Sequence, residues 1–244
     1  MTGSGSTIRL CGRLEAEIEG RRVEEALPGR QGRLLFAFLV LGRDRPVRRE
    51  QLLEVLWPED GPPPSGDSLL APPLSRLRKA LGEGRLQGRE QLSLDLPEDT
   101  WVDWEAAWAH LAACRTALAG SEWRAAWDEG RAAVQIAGAG LLPGLEAPWI
   151  DQRRGELDEL RVEALEAVAT SGARLGGAEA AQAEEAARAA IEQAPYRETA
   201  RVALIAALRA AGNDAEALRA YEDVRVLLRD ELGTTPGPAL LAAH

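Results

Sequence analysis

Two cysteines and two histidines are all that this 244-residue chain offers for soft metal ligation or imidazole chemistry. Cys11 and Cys114 lie far apart, with no Cys or His partner at ligand spacing. That excludes both a recognisable zinc site and a disulfide framework, and it fits a reduced, cytoplasmic chain. His110 falls on an amphipathic stretch and His244 ends the chain; a lone helical histidine is ordinarily structural rather than catalytic. No glycine-rich phosphate loop follows a strand, and Gly82-Glu83-Gly84 reads as the cap of a helix. Acidic pairs such as Asp158-Glu159 and Glu184-Glu185 read as solvated helix surface. These absences remove the nucleophile, metal or acid–base set an enzyme needs, so no catalytic residue, metal site or cofactor is expected. Apolar runs are short as well. The longest, Leu34 to Leu41, is far below the length that spans a bilayer. Residues 1–7 form a Gly/Ser/Thr tail without the features of an export signal, and no membrane partner is expected. Neither a phosphoacceptor receiver nor an ATPase domain is expected from these residues.

What the chain does have is unevenly placed charge. Its net charge is −10. The first hundred residues hold 15 Lys and Arg against 16 Asp and Glu, and the remainder holds 14 against 23. The acid therefore sits in the C-terminal part. Within the first part, Arg30, Arg33, Arg43, Arg45, Arg48 and Arg49 cluster, as do Arg76, Arg78, Lys79, Arg85 and Arg89. Local patches of this kind decide whether a domain can rest on phosphates. The same charges would serve equally as solvated helix faces, and charge alone leaves both readings open.

Periodicity divides the chain near residue 100. Residues 8–27 alternate at period two around a Glu19-Gly20-Arg21 turn and predict short strands. Helical spacing follows over 31–41 and 49–56, the second ending at Trp57-Pro58. A proline-rich loop is expected from Pro58 to Gly66. A third helix places Leu70, Leu74, Leu77 and Leu81 on one face, and Leu92, Leu94 and Leu96 alternate as a closing strand. Beyond Asp103 every pattern is helical. Alanine-rich amphipathic segments meet at Ala119-Gly120-Ser121, Gly176-Gly177 and Gly212-Asn213-Asp214. Three helical hairpins in sequence, each with an apolar face that a neighbour must cover, follow the logic of stacked repeats. Trp101, Trp104, Trp108, Trp123 and Trp127 recur at spacings of three to four and read as helix packing.

These blocks resemble the antibiotic-regulatory-protein type of transcriptional regulator, which fuses an OmpR/PhoB-like winged helix to a bacterial transcriptional activation domain. In the first part the resemblance rests on Gly32-Arg33-Leu34-Leu35, Arg49-Glu50-Gln51-Leu52, Leu56-Trp57 and Leu74-Ser75-Arg76-Leu77-Arg78-Lys79-Ala80-Leu81-Gly82. In the second it rests on Leu142-Pro143-Gly144-Leu145, Trp149, Arg153, Leu157-Asp158-Glu159-Leu160-Arg161 and Pro195-Tyr196-Arg197-Glu198. It continues through Ala211-Gly212-Asn213-Asp214-Ala215-Glu216-Ala217-Leu218-Arg219-Ala220-Tyr221 and closes with residues 231–240, Glu231-Leu232-Gly233-Thr234-Thr235-Pro236-Gly237-Pro238-Ala239-Leu240. The fold implied is an α+β winged helix over residues 8–100, then an all-α tetratricopeptide-like domain over 101–244. The function implied is an activator that binds double-stranded promoter DNA, with RNA polymerase subunits as partners and a homodimer as its assembly.

A winged helix lays its third helix in the major groove while other elements touch phosphates. Ser75, Arg76 and Lys79 fall on the arc opposite the leucines, with Arg78 at its edge. Arg33, Arg48 and Arg49 near helix starts, and Arg85 and Arg89 around the closing hairpin, are the expected phosphate contacts. One departure from the family pattern matters. Pro72-Pro73 stands where a Val-His pair is usual, and interior prolines cost roughly 3 kcal/mol each. The helix is therefore expected to start there, with Ala71 as N-cap, and to run from Pro72 to Leu81 without its usual first turn. Weaker or altered base reading follows. The alternative is a protein-interaction module whose degenerate winged helix no longer binds DNA specifically; the helical part offers a concave surface for a peptide or partner in either case.

Overall fold

The computed structural model describes residues 5–27, 29–58, 61 and 65–243, apart from the side chain of Asp67. The chain divides into two compact units, Met1–Ala106 with Ala139–Gly155 and Ala107–Gly138 with Glu156–His244.

In the first unit, β1 (Thr7–Arg9), β2 (Glu15–Ile18), β3 (Arg21–Arg22) and β7 (Trp101–Val102) form a sheet of order β3-β2-β1-β7. The β2–β3 turn has positive φ at both Glu19 (51°) and Gly20 (78°), the backbone twist that suits a two-residue hairpin. β1 pairs antiparallel with β2, setting Ile8 opposite Ala16, and parallel with β7, setting Ile8 opposite Val102. All three of these side chains are buried. Three helices, α1 (Gly29–Leu41), α2 (Arg49–Leu56) and α3 (Gly66–Leu81), pack on one another. A second sheet of order β4-β6-β5 joins Val47–Arg48 (β4), Gln91–Leu94 (β6) and Leu86–Gln87 (β5). Sheet, three helices and a closing hairpin make a winged helix.

The structure corrects two expectations here. The helix expected from Pro72 begins at Gly66, and both prolines stand inside it. Pro72 and Pro73 cannot donate to the carbonyls of Ser68 and Leu69, yet the turn before them persists because Leu70 is fully buried and Pro73 is itself buried. Burying a leucine contributes about 1.5–3 kcal/mol, which offsets part of the roughly 3 kcal/mol that each interior proline costs, and the burial of Pro73 adds to it. The expected tail of residues 1–7 also ends earlier. Ser6 is buried, its Oγ accepts the Glu19 amide at 3.1 Å, and Thr7 lies in β1. The proline-rich loop expected from Pro58 lies largely outside the described residues.

The second unit is helical. It takes α4 (Asp103–Ala119) from Ala107, α5 (Trp123–Ala137), α6 (Pro148–Leu175) from Glu156, then α7 (Ala178–Gln193), α8 (Glu198–Ala210), α9 (Asp214–Leu232) and α10 (Pro238–Ala243). α7 packs on α8, α8 on α9, and α10 returns onto α8. The expected turns at 119–121, 176–177 and 212–214 separate these helices. No helix is expected at 238–243 from the sequence; fully buried Leu240 anchors it. Alanine is the most frequent residue of the core: Ala183, Ala187 and Ala190 of α7 share a cluster with Ala200, Ala203 and Ala207 of α8. Small side chains let helix backbones approach closely. At Gly172 a Cβ would stand 2.3 Å from a ring carbon of Trp127 and 2.9 Å from the Ala183 methyl, so only hydrogen fits.

Candidate nucleic-acid interface

α3 turns Leu70, Leu74, Leu77 and Leu81 into the core at i, i+4, i+7 and i+11. Its opposite arc exposes Ser68, Leu69, Ala71, Pro72, Ser75, Arg76 and Lys79. Arg76 and Lys79 make no ion pair or side-chain hydrogen bond among the described residues. Ser75 lies on the same arc. These three expected contacts therefore converge on one solvent-facing surface.

The β5–β6 hairpin turns through residues 88–90. Gly88 has φ +86°, and a Cβ there would stand 1.8 Å from the Gln91 carbonyl oxygen, so the turn requires glycine. Arg89 is exposed at this tip. Pairing of β4 with β6 sets Arg48 opposite Gln91, the first residue after the turn, which brings exposed Arg48 beside the tip of the same wing. The Arg48 amide donates to Gln51 Oε1 at 3.0 Å, holding the start of α2.

Other expected contacts have internal work. Arg78 donates from Nη2 to the Gly88 carbonyl at 2.7 Å and from Nε to that of Leu86 at 3.3 Å, fastening α3 to the wing. Arg85 is paired with Glu19 at 2.7 Å. Arg49 is half-buried and engaged, and its amide donates to the Glu90 carbonyl at 2.9 Å. Arg33 is exposed on α1, in a hollow with Arg13, Arg22, Glu15, Glu24 and Glu25. Within the wider N-terminal arginine cluster, Arg43 is paired with Glu105 at 2.6 Å and Arg30 donates to the Glu146 carbonyl.

Three further residues, two of them positioning residues, lie outside the candidates the sequence offers. Arg21 of β3 donates to the Ala80 and Leu81 carbonyls at 3.3 and 3.4 Å, capping the C-terminus of α3. Asp103 is buried at the start of α4 and accepts amides from Leu10, Cys11 and Trp104 at 2.8–2.9 Å. An Asp at a helix start is a readable cap signal, but its reach to residues 10 and 11 is not. Burial raises the Asp103 carboxyl above its ordinary value against the opposing pull of those three amides. Burial, then the nearby Asp103 carboxylate, pushes the Cys11 thiol up to about 12. The third is Leu69, apolar and 45% exposed on the outward arc; it shows as out of phase with the buried leucines once the helix is started at 66.

In the helical unit a groove is lined by Trp127, Arg131, Gln135, Val168, Gln182 and Glu185. Half-buried His110 meets Glu129 at 2.6 Å. Trp104 and Trp127 are buried as expected of packing residues, whereas Trp101 is 41% exposed beneath the Arg9 guanidinium, which stacks at 5.8 Å. A two-residue strand at the sheet edge leaves one ring face to solvent, and the arginine covers it. Among the described residues no cluster of three or more His, Cys, Asp or Glu could hold a metal ion, and no helix is long and apolar enough to cross a membrane.

Residues 102–244 match the family described as the bacterial transcriptional activator domain. The chain belongs to that family. It is similar to the regulatory protein AfsR of Streptomyces griseus, with 31% identity over 86% of this chain and 21% of that protein. It is similar also to the transcriptional regulatory protein EmbR of Mycobacterium tuberculosis, with 32% identity over 96% of this chain and 61% of that protein. The chain thus spans about a fifth and three fifths of the lengths of these two relatives. The solved structure of Mycobacterium tuberculosis EmbR in complex with a low-affinity phosphopeptide superposes with a TM-score of 0.83 at 28% identity, covering 98% of this chain and 63% of that one. The antibiotic-regulatory-protein resemblance, with its winged helix and helical activation domain, stands on these matches as well as on the motifs.

Proposed function

We propose that the chain is a transcriptional regulator that binds promoter DNA with α3 and the β5–β6 wing and meets protein partners through its helical unit. The observation that carries the reading is the outward arc of α3. Arg76 and Lys79 face solvent there without an ion-pair partner among the described residues, and exposed Arg48 and Arg89 mark the wing. Four such cations can neutralise about four phosphates, and guanidinium groups can pair bidentately with guanine. Arg78, Arg85 and Arg49 act in this reading by holding α3, the wing and α2 in register rather than by first contact with the duplex. Residues 101–244, with 14 basic against 23 acidic side chains, repel phosphate and suit protein contact; RNA polymerase subunits, a second copy of the chain, or both are the partners the family reading supplies. The regulator names of the relatives support a role in transcription and no catalytic one, and such a role is exercised in the bacterial cytoplasm.

Fluorescence anisotropy with a labelled duplex across a salt series tests this. The logarithm of affinity should fall with the logarithm of salt at a slope of about −3 to −4, and Arg76→Ala with Lys79→Ala should reduce that slope by about 2. A slope near zero in the unmodified chain retires DNA binding and leaves the protein-interaction module in its place.

A further inference from the structure

The outward arc of α3 carries two chemistries in sequence. Its first two turns expose Leu69, Ala71 and Pro72 beside Ser68, and only the later turns expose Ser75, Arg76 and Lys79. Leu69, Pro72, Arg76 and Lys79 follow each other at i, i+3, i+7 and i+10, so they form one continuous strip along the helix. Leu69 is 45% exposed although its helix buries four other leucines almost completely. An exposed apolar strip at the N-terminal half of the element that enters the major groove calls for an apolar feature in that groove. The duplex offers one, the 5-methyl group of thymine.

We infer that Leu69 and Pro72 are specificity-determining residues that read thymine methyl groups, while Arg76 and Lys79, further along the same strip, supply guanine or phosphate contact. This rests on the proposed DNA-binding role and adds the base it favours. The placement argues for it in two ways. The N-terminal turns of a recognition helix are the ones that approach base edges, so the apolar residues stand where bases are read. The cations on the same strip provide the charge complementarity that would bring this surface against a polyanion.

The test selects duplexes with the full chain from a pool randomised over a central segment. The selected duplex is then synthesised in two forms, one with thymidine and one with deoxyuridine at every thymidine position, which removes only the methyl groups. The thymidine form should bind more tightly by about fourfold for each methyl contacted, the equivalent of burying one such group. Leu69→Ser should lose that preference, binding both forms alike with an unchanged salt slope. Arg76→Ala should weaken both forms and keep the preference. Leu69 is exposed, so its variant should keep the parent's circular dichroism and melting temperature; a change in either moves the test to Pro72→Ser, for which the same loss of preference is expected. Equal affinity of the unmodified chain for both forms, with a steep salt slope intact, overturns thymine reading alone. No salt-dependent binding to any duplex overturns DNA binding and this inference with it.

Discussion

The two units reach a packed interior by opposite means. The winged helix fills its core with large side chains, among them Ile8, Leu34, Leu35, Phe36, Leu70, Leu74 and Leu77, all less than 2% exposed. The helical unit sets nine buried alanines among its larger side chains and has glycines at tight spots, with Trp127 against Gly172. In the first, stability resides in apolar volume taken from water, so removing volume hurts most. In the second, it resides in closeness of approach, so adding volume hurts. Both consequences follow from dense packing.

Three measurements sharpen or break that contrast. Leu77→Ala should cost about 4 kcal/mol in chemical denaturation, the transfer and cavity cost of a buried leucine; a loss below about 1 kcal/mol would mean that the first unit is not limited by volume. Gly172→Ala should cost about 2 kcal/mol through a single added methyl, because its neighbours are a ring and a helix backbone rather than a mobile chain end. A neutral result there removes close approach as the organising feature of the second unit. The smallest effect should come from the pair of Arg115 and Glu163, joined at 2.6 Å with Arg115 54% exposed and Glu163 33%. The Arg115 guanidinium holds the Glu163 carboxyl below its ordinary value against desolvation. Its contribution is therefore present above the unfolded value of 4.5 and lost as pH falls through the lower folded one. Glu163→Gln should cost under about 1 kcal/mol near neutral pH, and the gap from the parent should close on acidification.

The contrast also explains what the sequence made legible. Helix phase was readable wherever one face is strongly apolar: Leu70, Leu74, Leu77 and Leu81 lie buried as their spacing predicts. The start of α3 was not, because the proline rule weighs a local backbone cost while burial of Leu70 and Pro73 is tertiary. The two residues of β7 are too few to show a period, and their partner β1 is more than ninety positions away. Of the candidate site, Ser75, Arg76 and Lys79 were placeable on the outward arc from the leucine phase alone. That Arg78 and Arg85 are engaged internally was hidden, since a guanidinium's partners here are backbone carbonyls and a glutamate on other elements.

Asp103 gathers the amides of Leu10 and Cys11 across a sequence separation of more than ninety residues, and the same stretch meets residues further on, with the Gly12 amide on the Gly140 carbonyl at 2.7 Å and the Leu142 amide on that of Leu10 at 2.8 Å. During synthesis β1 leaves the ribosome well before its partners and must wait for a carboxylate and then a loop made about 90 and 130 residues later. Contacts so distant in sequence close slowly. The first unit should thus finish folding only after the segment Ala139–Gly155 has emerged, and a chain cut at residue 100 would leave β1 with neither its parallel partner nor the carboxylate that satisfies its last amides.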